Sequence, residues 1–435
     1  MGLVTAFILW MFFVVSYLVN RELFNPLVII NLMFAMIVSG ASIGLYGLYT
    51  SNNNALFVVL LGMFFINAGF FLGHAASARR STSTAYKVSR LENDTYEINT
   101  TFLGFLTISL LYFTFYYLFF ALNLFTKGYS LNTIRFFYFN NNLMEESLHV
   151  GTNNLVSYGT SYLYNPSQHV FYVLTAIILF DQTFMKEKKF WRKVVPFVTF
   201  LNILISMVST GGRLAFFYFC VVLLVSFDVF KYKNVKKKSP EKAVVILIFC
   251  SLLVITYYVS TLRENDGSFD IIKRVYSYFC GCIPNLENNL RYSCKKTDYS
   301  YGVTLVSGFV RPLFTGMRLV FKTPIPQVFV NAEQYLIDSS MTFLIGDGLD
   351  YNAFVTIFYF FFRDMGWLGV VVDSFVFGVM LALLYFSAGK SIRNFSVYLL
   401  LMQAVFTSFI RWQFLGISYS SSFYYLLFLF RRKVR

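Results

Sequence analysis

Residues 54–73 read NALFVVLLGMFFINAGFFLG, twenty positions without a single charge. As a helix rising about 1.5 Å per residue, that length crosses the ~30 Å hydrocarbon core of a bilayer. Similar blocks recur along the chain. Of its 435 residues 57% are hydrophobic, 20% aromatic and 13% charged, against about 25% charged in soluble proteins. Polar surface is too scarce to coat the two or three soluble domains that the length would otherwise imply. A transmembrane β-barrel is excluded, because its strands are short and alternate in polarity.

The expected fold is therefore an all-α polytopic membrane protein with about 11 (10–12) transmembrane helices. The spans run approximately 3–19, 26–49, 54–73, 101–125, 168–185, 194–209, 214–230, 243–260, 366–387, 395–410 and 413–430. Three parts follow: an eight-span region at 1–260, a large external loop at 261–365, and three spans with a basic cytoplasmic tail at 366–435. No cleavable signal is expected, since residues 3–19 lack a basic n-region and a small-residue cleavage site.

The net charge of +15 is a topology signal rather than a nucleic-acid signal. Short loops holding Arg21, the 79–90 and 186–193 clusters, 231–242, Lys390 with Arg393, and the tail carry 22 of the 36 Lys and Arg. Dense basic charge in short loops marks the cytoplasmic side. The C-terminus is then inside, and 126–167 and 261–365 are outside. Within the latter, Ile271, Ile272, Val275, Phe279, Ile283 and Leu286 recur at helical spacing, which reads as an amphipathic helix on the outer leaflet. The apolar stretches 301–320 and 353–362 are candidate re-entrant half-helices. No repeat relates the two halves, as an inverted-repeat transporter would show.

Arginines on the external side carry the chemical signal. Arg213 ends Ser209-Thr210-Gly211-Gly212-Arg213, the whole connection between two spans; Gly211 and Gly212 free the backbone for a tight turn with exposed N–H groups. Arg263 follows span eight, and Arg311 precedes Pro312. Guanidinium groups bind phosphate in bidentate fashion and stay charged, so Arg213, Arg263 and Arg311 together would form a pyrophosphate clamp. The alternative is that each is an interfacial anchor. His169, at the outer end of span five, is either a general base or a histidine bonded to a loop carbonyl. Asp364 is the leading external acid, with pairing to Arg363 as the simpler explanation. Asp181 and Asp373 lie within spans, as functional acids or structural hydrogen-bond partners. Cys220 and Cys250 lie in apolar spans. Cys280, Cys282 and Cys294 share one loop and allow one disulfide at most. No metal-ligand spacing is present, and no cofactor is expected.

The Ser209–Arg213 turn with its following aromatic span resembles the corresponding turn of bacterial oligosaccharide repeat-unit polymerases of the Wzy type. Tyr276-Ser277-Tyr278-Phe279-Cys280-Gly281-Cys282-Ile283-Pro284 looks like their aromatic–glycine–proline outer-loop stretch. Asn352-Ala353-Phe354-Val355-Thr356, with Asp364, Gly366 and Gly369 downstream, is similar to their final outer-loop motif, although Arg363 departs from it. The resemblance covers roughly 200–390, and the N-terminal half by topology alone. It implies an architecture like that of GT-C-type membrane glycosyltransferases, in the bacterial cytoplasmic membrane. The implied substrates are undecaprenyl-pyrophosphate-linked oligosaccharides, donor and acceptor, joined into O-antigen, capsular or exopolysaccharide. A chain-length regulator and a flippase would be partners, and nucleic acid would not. An O-antigen ligase would share the architecture and differ in acceptor. A flippase or exporter of lipid-linked oligosaccharide would show twelve or more spans and internal symmetry.

Overall fold

The computed structural model describes residues 1–78, 96–130, 133–134, 154–181, 183–210, 212–230, 271–292, 299–351 and 354–432. The helices are α1 (Gly2–Asn20), α2 (Pro26–Ile43), α3 (Asn53–Ala78), α4 (Thr100–Thr126), α5 (Asn154–Gly159), α6 (Asn165–Phe180), α7 (Lys189–Thr210) and α8 (Leu214–Phe230). They continue with α9 (Ile271–Cys280), α10 (Cys282–Tyr292), α11 (Val303–Phe321), α12 (Gln327–Asp338), α13 (Ile357–Met365), α14 (Trp367–Ala388), α15 (Ile392–Phe406) and α16 (Ile417–Leu429). The strands are short: β1 (Tyr96–Ile98), β2 (Phe343–Gly346), β3 (Leu349–Tyr351) and β4 (Phe430–Arg432). Among the described residues, seven helices (α1, α2, α3, α4, α7, α11 and α14) are long and apolar enough to cross a membrane. The protein is a multi-pass, all-helical membrane protein.

The expected spans map onto these helices with instructive differences. The second ends at Ile43 rather than 49, because Gly44 turns left-handed at φ 67° and closes the helix. Span five begins early, since α5, a π-helical segment (Thr160–Tyr164) and α6 run on continuously. The expected span 243–260 lies outside the described residues. The amphipathic helix is two helices broken at Gly281, and Ile283 and Leu286 are buried in protein rather than facing lipid. Cys280 and Cys282 are free thiols. Burial pushes the Cys280 thiol up to about 11 and the Cys282 thiol upward as well.

The chain forms two compact units that interleave in sequence. The first comprises Met1–Lys87, Asp270–Gly389 and Leu401–Ser420. Its centre is the α3–α14 contact, where backbones nearly touch. A Cβ at Gly69 would stand 2.1 Å from the Phe375 carbonyl, and one at Gly378 2.2 Å from that of Ile66. Such small-residue seams gain close packing where lipid offers no hydrophobic drive. Asn31 and Asn67 exchange amide hydrogen bonds of 2.9 Å between α2 and α3. At one end, Tyr49 N–H donates to the Ile345 carbonyl (2.8 Å) and Tyr276 Oη donates to the Gly40 carbonyl (2.6 Å). At the other, Tyr385 Oη donates to Glu22.

The second unit comprises Val88–Phe269, Lys390–Leu400 and Ser421–Arg435. A polar chain threads it: Gln168 donates to Asn202 (3.0 Å), which donates to Thr114 (2.6 Å) and Tyr164 (3.1 Å). At one end β1 pairs antiparallel with β4. There Lys188 Nζ donates to the Ile98 carbonyl (2.6 Å), and Arg393 lies 4.4 Å over the Tyr96 ring. Segments that the charge count assigns to one side thus meet at one end of this unit.

The stretch 301–320 does not stop part-way as a half-helix. Helix α11 runs nineteen residues and returns through α12 as an antiparallel hairpin, joined by Arg311–Glu333 and by the Phe314 and Phe329 rings 4.8 Å apart. Its length gives a reach of about 28 Å, and Leu313, Leu319, Val320 and Phe321 present apolar surface. On the topology expected from the basic loops, with 261–365 outside, the tip would lie deep in the membrane. Tyr301 is 70% exposed at the base. A cysteine at Tyr301 should react with an impermeant maleimide from outside, and one at Lys322 should not. Equal rates would lay the hairpin flat on the surface.

Candidate functional site

Two clusters hold the residues singled out from sequence, one in each unit. In the second unit, α8 opens at Arg213, whose carbonyl accepts the first helical bond from Phe217 N–H (3.0 Å). Arg213 is therefore the N-cap residue. The next N–H groups have no partner within the helix, and the positive end of its dipole lies at the guanidinium-bearing residue. Gly212 is described and Gly211 is not.

His169 is not at a helix end as expected. The continuous helix before Asn165 places it inside, where it is buried on α6. Its ring lies 4.9 Å from that of Tyr218 on α8 and 6.1 Å from that of Tyr172. Tyr218 stands five residues beyond Arg213, about 7.5 Å of helix rise. The α6–α8 contact thus brings together His169 and Tyr218, which lie 49 positions apart in sequence.

In the first unit, Arg311 is held by Glu333, and their side chains are 14% and 45% exposed. Arg363 does not pair with its neighbour Asp364. It reaches Asp338 at 2.9 Å, accompanied by the Tyr359 hydroxyl at 3.1 Å, and stacks 4.3 Å over the Tyr335 ring. Two guanidinium groups thus meet two carboxylates on α12, and this cluster carries no net charge.

Asp364 is fully buried. Its carboxylate accepts Ser300 Oγ (2.5 Å), Gly302 N–H (2.6 Å) and Thr304 N–H (3.2 Å). Its carbonyl accepts the N–H groups of Ser300 and Tyr301, both at 3.1 Å. It caps α11 from another helix. Its oxygens are buried and already engaged by three donors, so the geometry gives Asp364 a structural position rather than the expected catalytic one.

The first unit also contains Thr356, buried at the start of α13 with φ 71°. A β-branched residue in that region costs about 1–3 kcal/mol, strain that recurs at functional sites. Its place in the Asn352–Thr356 stretch was the only hint in the sequence. Arg263 lies outside the described residues, and Arg213 and Arg311 belong to different units. Among the described residues no cluster of His, Cys, Asp or Glu could hold a metal ion. No family model, curated protein or solved structure matches the chain.

Proposed function

We propose that this protein polymerises undecaprenyl-pyrophosphate-linked oligosaccharide repeat units on the external face of the bacterial cytoplasmic membrane. In this reading the chain has about eleven spans and a cytoplasmic C-terminus. The growing glycan leaves its lipid pyrophosphate and joins a hydroxyl of the next lipid-linked unit.

The observation that supports it most is Arg213 at the N-cap of α8. There a guanidinium beside a glycine, at the positive end of the α8 dipole, suits an anion at the end of a membrane helix. Pyrophosphate gains negative charge as it departs, and donors fixed in advance stabilise that charge without reorganising. His169, on the helix packed against α8, is the proposed base that takes the proton of the attacking hydroxyl. Arg311 would take part only after exchanging Glu333 for phosphate. Glu333 is partly exposed, and pairs of that kind are worth about 1 kcal/mol or less.

Deleting the gene should leave lipid-linked single repeat units and no long polymer. Gel analysis of the surface glycan reads this directly. A normal ladder in the deletion strain would refute the polymerase reading, and repeat units confined to the cytoplasmic leaflet would point to a flippase.

A further inference from the structure

Asp373 is the buried group that the proposed chemistry does not use. It lies on α14 with no solvent exposure, and both carboxyl oxygens lack a hydrogen-bond partner. Its surroundings follow from the stripe it shares with Gly369 and Phe377, one turn to either side. A Cβ at Gly369 would stand 3.5 Å from Asp364 Cβ and 2.1 Å from the Phe361 carbonyl. The Phe377 ring lies 5.0 Å from that of Trp412, which lies 4.9 Å from Phe361 and donates its indole N–H to the Thr304 carbonyl (3.0 Å). Asp373 thus lies in an aromatic enclosure, on the helix face that packs against Asp364 at the end of α13.

The two acids have opposite settings. Asp364 receives three donors, including two backbone N–H groups at the start of α11. Asp373 receives none. The cation on the same helix as Asp364, Arg363, is turned to Asp338 and stacked on Tyr335. Arg411, next to Trp412, is exposed. Helix α2 carries no titratable group, and α3 carries only His74, which stacks on Phe386 more than three turns away. An unpaired anion at Asp373 would be desolvated, without donors, and beside a second carboxylate.

We propose that Asp373 and Asp364 form a membrane-buried pair of carboxyl groups that shares one proton. Removing that proton places two carboxylates together in low dielectric, and the cap that Asp364 supplies to α11 bears the repulsion. The pair is therefore a proton-sensitive latch on the α11–α12 hairpin. This inference does not depend on the polymerase reading.

Infrared spectroscopy of the purified protein tests it. Exposed carboxyls are ionised at pH 7, so a protonated-acid carbonyl band, shifting on transfer to heavy water, reports buried acids. The band should be present in the wild type and lost in Asp373→Asn. If Asp373→Asn does not accumulate, Asp373→Glu should displace the band instead of removing it. Absence of the band from the wild type, or a band that ignores Asp373 substitutions, would overturn the proposal. A bound sodium ion in place of the proton would also overturn it, and would show as an absent band with sodium-dependent thermal stability.

Discussion

Asp364→Asn is expected to destabilise the protein by ~1–3 kcal/mol, the scale for leaving a buried donor unsatisfied. The replacement keeps shape but presents an amide NH2 where the native oxygens meet Ser300 Oγ, Gly302 N–H and Thr304 N–H. At least one buried donor is then left unsatisfied, and the charge-assisted bonds at the start of α11 are lost. Thermal unfolding in detergent should show a lower Tm, and proteolysis should begin at 299–304. A catalytic acid would behave differently, since its amide variant would fold normally and fail only in activity. Wild-type stability in Asp364→Asn would return the residue to the list of catalytic candidates.

The second large effect is expected at Arg213. Arg213→Lys keeps the charge but loses the planar, bidentate fork. A lost contact to a developing oxyanion costs about 3 kcal/mol, or roughly a hundredfold in rate. Polymer formation by this variant, at matched protein level in the deletion strain, should fall by that factor, and Arg213→Ala by at least as much. Arg318→Lys should be nearly silent, because Arg318 is exposed on α11. Wild-type polymer from Arg213→Lys would make Arg213 an ordinary interfacial anchor.

The sequence exposed the seven long apolar helices, because such apolar runs have few stable alternatives, whereas four other expected spans are helices of 13–17 residues. It was less informative where tertiary contacts decide. The run 301–320 is apolar, but its return through α12 depends on Glu333 and Phe329, which no local period reveals. Asp364 and Arg363 are adjacent and looked like a pair. On α13, however, consecutive side chains diverge by about 100°, which sends one to the start of α11 and the other to Asp338 on α12. His169 was legible as one of only three histidines in the chain. Its burial beside Tyr218 was not, because the helical turns before Asn165 lie in a stretch rich in Asn, Tyr and Ser that reads as a loop. Asp373 was visible as an acid within a span. Only the fold shows that its oxygens are unpartnered and that Asp364 is its neighbour.

The most direct test of the proposed activity is to incubate the purified protein, in lipid, with undecaprenyl-pyrophosphate-linked repeat units and to resolve the products by size. A ladder of glycans lengthening by one repeat unit, with undecaprenyl pyrophosphate released at each step and both lost in Arg213→Ala, is the predicted result. Repeat units that stay single, with no pyrophosphate lipid released, would contradict it.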